Sequence, residues 1–186
     1  MSILSIFSEA GRQLQCLKDF TCIASTLSDI GIRFERWPVS QELDMDADAD
    51  AVLHAYRHPV ELMSRRYEFR LIDVVDNQSQ TMEQALHHEH MHCDFEILFF
   101  VDGDGLFYFH VDKKVYLVMC QKGDLISLPA GTVHWFDMGN NPAFRCIRFF
   151  TDDQGLQSHV TGSDIASRFP SYEEFKQQPL VAGFPA

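Results

Sequence analysis

Paired cysteine motifs, long apolar runs and clusters of positive charge are all missing from this chain. Its five cysteines, Cys16, Cys22, Cys93, Cys120 and Cys146, are odd in number and form no C-x-x-C pair. With 186 residues the chain is also too large to need covalent staples. A disulfide framework is excluded, and a reducing, cytoplasmic setting is expected. No window approaches the roughly 18 apolar residues of a membrane span. The opening MSILSIFSEAGRQLQCLKDF has no basic region followed by a long apolar stretch, so neither export nor membrane insertion is expected. Lys and Arg number 15 against 27 Asp and Glu, a net charge of −12. The scattered cations exclude a surface that tracks nucleic-acid phosphates, which needs clustered positive charge. No repeat, low-complexity stretch or linker divides the sequence. A single domain over 1–186 is expected, with a helix-rich front over about 1–65 and a barrel core over about 66–151, and a monomer, since no long apolar edge strand stands out.

What is present is a 46% hydrophobic composition with two textures. From Asp19 to Ile30, Phe20, Ile23, Leu27 and Ile30 recur at helical spacing, and Gly31 is a stop signal. IRFERWPV reads as a strand. The spacing predicts a second helix over Asp48 to Arg65, which Pro59 should break or kink. FRLIDVVD reads as a strand and QSQTMEQALHH as a short helix. After residue 88 short alternating runs are separated by turn residues, and Asp102-Gly103 and Asp104-Gly105 read as hairpin signals. Six or so such strands predict an antiparallel sandwich or barrel. The stretch TGSDIASRFPSYEEF predicts a short capped helix starting near Ser163 or Asp164.

The chemistry concentrates in HHEHMHCDFE, residues 87–96. Side chains alternate along a strand, so His90 and His92 project to one side, and Glu96 shares their parity. His134, in LPAGTVHWF, arrives on a strand end that an antiparallel barrel could fold back over the first pair. Three imidazoles and one carboxylate suit borderline divalent ions such as iron(II), nickel, manganese or cobalt better than a thiolate-preferring structural zinc. Four protein ligands on an ion preferring six leave positions for substrate. H-x-H alone is weak evidence. H-x-H-x-x-x-E followed by G-D-x-x-x-x-P-x-x-x-x-H is much stronger. His54, His58, His87, His88, His110 and His159 read as surface polar residues, Cys93 as facing away from the ligands, and the acidic stretch 102–104 as a plain turn.

The blocks EHMHCDFEILFFVDGDGLFYFHV and KGDLISLPAGTVHWFDMG resemble the first and second cupin motifs, and with IRFERWPV, IRFF and TGSDIASRFP the chain resembles the acireductone dioxygenase family over nearly its whole length. The resemblance implies a mainly β, cupin-type antiparallel β-barrel (a double-stranded β-helix, or jelly roll) with flanking helices from the N-terminal half. It also implies one Fe(II) or Ni(II) per chain, held by His90, His92, Glu96 and His134. The implied reaction is O₂ cleavage of 1,2-dihydroxy-3-keto-5-methylthiopentene in methionine salvage. With iron the products would be 4-methylthio-2-oxobutanoate and formate; with nickel, 3-methylthiopropanoate, formate and CO. Family members commonly carry an arginine, associated with the substrate dianion, where this chain has Leu98. Arg148, or Arg145, is the obvious replacement cation. Glu89 is a candidate aid to metal loading, set against a plain turn carboxylate. Phe99, Phe107, Trp135 and Phe136 are candidates for an apolar wall around the methylthio tail, set against simple core. Leu98 also keeps open another metal-dependent cupin dioxygenase or isomerase of a small enediol or diketone. A ligand-sensing module is the third reading.

Overall fold

The computed structural model describes residues 1–39, 41, 43–44, 47–76 and 86–177. The front of the chain, expected to be helix-rich, opens instead with a hairpin of β1 (Ile3–Ser8) and β2 (Gln13–Leu17). Its signal is hidden because β1 is covered on both faces: Leu4 and Ile6 join one buried cluster and Phe7 another, so no clean alternation results. Helix α1 (Phe20–Ser28) is capped by the Asp19 carboxylate, which accepts from the Cys22 amide at 2.9 Å. It buries Ile23 and Leu27, and Gly31 past its end takes φ +82°. β3 (Arg33–Arg36) follows.

The helix expected over Asp48 to Arg65 is two helices, α2 (Ala49–Ala55) and α3 (Arg57–Arg66), parted at Tyr56 (φ −101°, ψ 20°). Pro59 explains the position of the break. It has no N–H to give the Ala55 carbonyl, and its ring crowds that oxygen. Next come β4 (Leu71–Asp76), β5 (His90–His92), β6 (Glu96–Val111), β7 (Lys114–Gln121), β8 (Asp124–Leu128), β9 (His134–Asp137), β10 (Phe144–Phe150) and β11 (Ser158–Val160). The helix expected over 78–88 lies largely outside the described residues. At the C-terminal end a 3-10 turn (Ile165–Arg168) and a six-residue helix α4 (Tyr172–Gln177) replace the single helix expected there.

All pairing is antiparallel. One sheet runs β11-β5-β9-β6-β7-β1-β2, and a second runs β3-β8-β6-β10-β4, so the 16-residue β6 belongs to both. The two Asp-Gly pairs are therefore not hairpin turns. They mark the bend at which one continuous strand passes from the second sheet to the first. Gly103 adopts φ +67°, and a Cβ there would stand 1.7 Å from the Ala143 carbonyl oxygen. A Cβ on Gly105 would stand 2.3 Å from the Phe136 ring. Glycine serves close approach here, with a bulge at Val101 of β6, opposite Arg145 and Cys146 of β10, taking up the bend. The tight turn lies further on, at Asp112 (φ 49°) and Lys113 (φ 60°) between β6 and β7.

Between the sheets lies one apolar interior to which β1, β3, β6, β7 and β8 contribute, among others, Leu4, Phe34, Phe100, Phe109, Val118 and Ile126. Each such side chain stabilises the fold by about 1.5–3 kcal/mol relative to its exposed state. Outside the second sheet, Val52, Tyr56 and Met63 of the helices cover Ile97, Phe99, Ile147 and Phe149. Outside the first, Phe169 and Phe175 of the C-terminal segment cover Tyr108 and Trp135. The architecture is the mainly β, cupin-type arrangement with flanking helices. Among the described residues no helix is long and apolar enough to cross a membrane.

Candidate metal centre

His90 and His92 project to one face of β5, and His134 lies directly opposite His90 in the β5–β9 ladder. The ring centroids of His90 and His134 are 4.4 Å apart, and those of His92 and His134 5.5 Å. One nitrogen of each ring lies within 4.8 Å of the other two. Glu96, the first residue of β6, brings its Oε2 to 3.6 Å from His134 Nε2 and 3.9 Å from His92 Nε2. The four residues that the spacing singled out thus lie together, and all four are buried.

The hydrogen bonds define which ring nitrogen faces inward. Nδ1 of His90 donates to the His88 carbonyl at 2.7 Å, Nδ1 of His134 to the Thr132 carbonyl at 2.8 Å, and Nδ1 of His92 to the Gln157 carbonyl at 3.3 Å. A carbonyl can only accept, so each proton sits on Nδ1 and each Nε2 keeps its lone pair. Nε2 of His90 and of His92 are buried without a hydrogen-bond partner among the described residues. A buried polar atom left unsatisfied costs about 1–3 kcal/mol, a cost that a metal ion at the convergence of these atoms would remove. The donor set fits a divalent cation of the borderline class and provides no thiolate.

Burial keeps the cluster ready for such an ion. It drives the His134 imidazole down to about 3, helped by neighbouring His90, and lowers His90 and His92 as well. All three rings are neutral at pH 7. Burial pushes the Glu96 carboxyl the other way, up to about 7, against the opposing pull of the Arg148 guanidinium.

Arg148 stands in the middle of a three-strand row, facing Leu98 of β6 on one side and Asp73 of β4 on the other. It is buried, and it lines a cavity with Glu96, His134, Leu98 and Phe144. Its Nε donates to Asp73 Oδ1 at 3.0 Å and its Nη2 to Oδ2 at 2.6 Å. Arg145, the other candidate cation, donates to the backbone carbonyl of Asp44 at 3.3 Å. The expected aromatic wall divides: Phe107 and Phe136 line the cavity. Phe99 packs on the helical side against Tyr56 and Trp37. Trp135 stacks on Tyr108 at 4.8 Å on the outer face of the first sheet. Parity explains the split, since Phe99 and Trp135 alternate with inward-facing neighbours.

Glu89 is no exposed turn carboxylate. It is buried, accepts from the Thr161 hydroxyl and lies 2.7 Å from His110 Nδ1, whose Nε2 is 3.1 Å from Glu9. Its backbone carbonyl accepts from Thr161 N at 3.0 Å. Reading the sequence missed His110, Thr161 and Asp73. Only Asp73 gave a signal, an acid inside the apolar run LIDVVD. Cys93 is exposed.

The sequence matches the model of the ARD/ARD′ family over residues 4–158. It is 42% identical over 179 residues to an acireductone dioxygenase of Aquifex aeolicus and 41% identical over 179 residues to one of Hydrogenobaculum. Each alignment covers 94% of this chain and 98% of the relative. Among solved structures, acireductone dioxygenase from Bacillus anthracis, with a cadmium ion in its active centre, shares the fold. The TM-score is 0.72 and the identity 21%, over 86% of this chain and 98% of that one. Full-length identity at this level, with a family match across the barrel, leads to one conclusion: this chain belongs to the acireductone dioxygenase family.

Proposed function

We propose that this chain is an acireductone dioxygenase of methionine salvage, acting on 1,2-dihydroxy-3-keto-5-methylthiopentene and O₂ with one iron(II) or nickel(II) ion. The observation that carries the reading is the convergence of three buried, neutral imidazoles, two of whose Nε2 atoms have no hydrogen-bond partner among the described residues. His90, His92 and His134, each through Nε2, and the Glu96 carboxylate would hold the ion. When bound, it supplies Lewis acidity and a point of chelation for the two enediol oxygens.

The remaining work falls to the chain itself. The three Nδ1–carbonyl hydrogen bonds fix the ligand rings before any ion arrives, so little orientation is left to be paid on binding. Arg148 takes the negative charge of the ionised enediol, a role open to it because its guanidinium shares the cavity with Glu96 and His134. Phe107, Phe136, Phe144 and Val75 give the methylthio tail an apolar wall and exclude water from the reacting end. Glu89 acts chiefly as a support, tying β5 to Thr161 and His110. The unpaired cysteines support a cytoplasmic setting, and we take the chain as a monomer.

Product analysis tests the reading. Iron-loaded protein should release formate and 4-methylthio-2-oxobutanoate without CO, and nickel-loaded protein formate, CO and 3-methylthiopropanoate. Turnover of some other enediol or diketone, with acireductone untouched, would move the assignment to another metal-dependent cupin enzyme.

A further inference from the structure

Arg148 brings a charge into the barrel interior, and something must both neutralise and aim it. Its side chain is 3% exposed, against 32% for that of Asp73, so the ion pair spans from the rim of the barrel to the cavity. The pair is two-pronged, Nε to Oδ1 and Nη2 to Oδ2. Two parallel bonds from a planar guanidinium fix the plane of the group as well as its position, which one contact would not. The register makes Asp73 the strand neighbour able to do this: on the β6 side of Arg148 stands Leu98, which has no polar atom to offer. The Phe150 ring, 5.3 Å from the guanidinium carbon, supports it without setting direction.

We infer that Asp73 is a positioning residue, gripping the Arg148 guanidinium in the orientation from which it meets the substrate's negative charge beside Glu96 and His134. This rests on the proposed reaction. Asp73 does not itself line the cavity; it reaches the site through its two bonds to Arg148. Loss of its carboxylate removes the two bonds that set the plane of the guanidinium, and loss of both residues should then be no worse than loss of the arginine.

The experiment is a double-mutant cycle on iron-loaded protein with Asp73→Asn, Arg148→Gln and the pair, measuring KM and kcat for acireductone, bound iron and melting temperature. Asp73→Asn should raise KM about tenfold, the scale of one charge-assisted hydrogen bond, with a smaller change in kcat and full iron occupancy. In the Arg148→Gln background it should change KM less than twofold. An unchanged KM for folded, iron-replete Asp73→Asn overturns the inference, and so do additive effects in the pair. If Asp73→Asn fails to fold, Asp73→Glu serves: its longer arm displaces the guanidinium and should raise KM about threefold, whereas a wild-type KM overturns the inference. Wild-type protein that leaves acireductone to decay at its uncatalysed rate fails the proposed reaction itself, a result distinct from all of these.

Discussion

Neutral imidazoles held away from water make the metal-free protein sensitive to acid, and the sign follows from the direction of the shifts. His134 falls from 6.5 to about 3 on folding, and His90 and His92 fall too, all through burial. The unfolded chain therefore binds protons that the folded one refuses. The stabilisation is fully present above about 6.5 and is lost as pH falls toward 3. Glu96 runs oppositely: raised from 4.5 to about 7 by burial, it favours the folded state below 4.5 and loses that contribution as pH rises through 7. Metal-free wild type should accordingly lose melting temperature more steeply between pH 6.5 and 4 than metal-free His134→Leu does. Equal slopes would show that His134 is not buried neutral. At this scale the ligand set was legible because chemistry of this kind must be spelled in residue types at fixed strand parity. The tautomers were not, since the bonding carbonyls of His88, Thr132 and Gln157 belong to the backbone, which the sequence does not distinguish.

At the scale of elements, β6 carries most of the consequence. A strand that serves two sheets must bend, and the Asp-Gly pairs provide the bend at Gly103 and the clearance at Gly105. Local turn chemistry reads the same way whether the chain reverses or only changes sheet, which is why a hairpin was expected there. What decides is pairing with β9 and β10, partners 25 to 54 residues away. The two glycines should differ on substitution. Gly103→Ala drives a methyl into the Ala143 backbone at positive φ and should cost about 3 kcal/mol or more. Gly105→Ala meets the Phe136 ring, a side chain that can shift, and should cost about 1–3 kcal/mol. Because Phe136 lines the cavity, Gly105→Ala should also raise KM for acireductone. Denaturant unfolding and steady-state kinetics on both variants measure this. A similar loss from each would mean that the bend is looser than described. The helices follow the opposite logic: Gly31 and Pro59 act through their own chain neighbours, and both were readable.

Over the whole molecule, the barrel was legible from short alternating strands and their turns, while its dressing was not. The β1–β2 hairpin is masked by burial on both faces. The three-residue β11 has an ordinary polar sequence, and only its pairing with β5 gives it meaning. That pairing matters for the site, because β11 and the Gln157 carbonyl brace the strand that bears His90 and His92. The molecule is thus a frame whose two sheets, with β11 bracing β5, converge on four donor atoms. Whether those donors carry the reaction is tested most directly by O₂-dependent loss of acireductone absorbance. Iron(II)-loaded wild type is compared with His92→Ala prepared identically. Rapid loss in wild type that vanishes in the variant, together with its bound iron, is the result expected here. Decay at the uncatalysed rate by wild type holding one iron per chain would contradict the account.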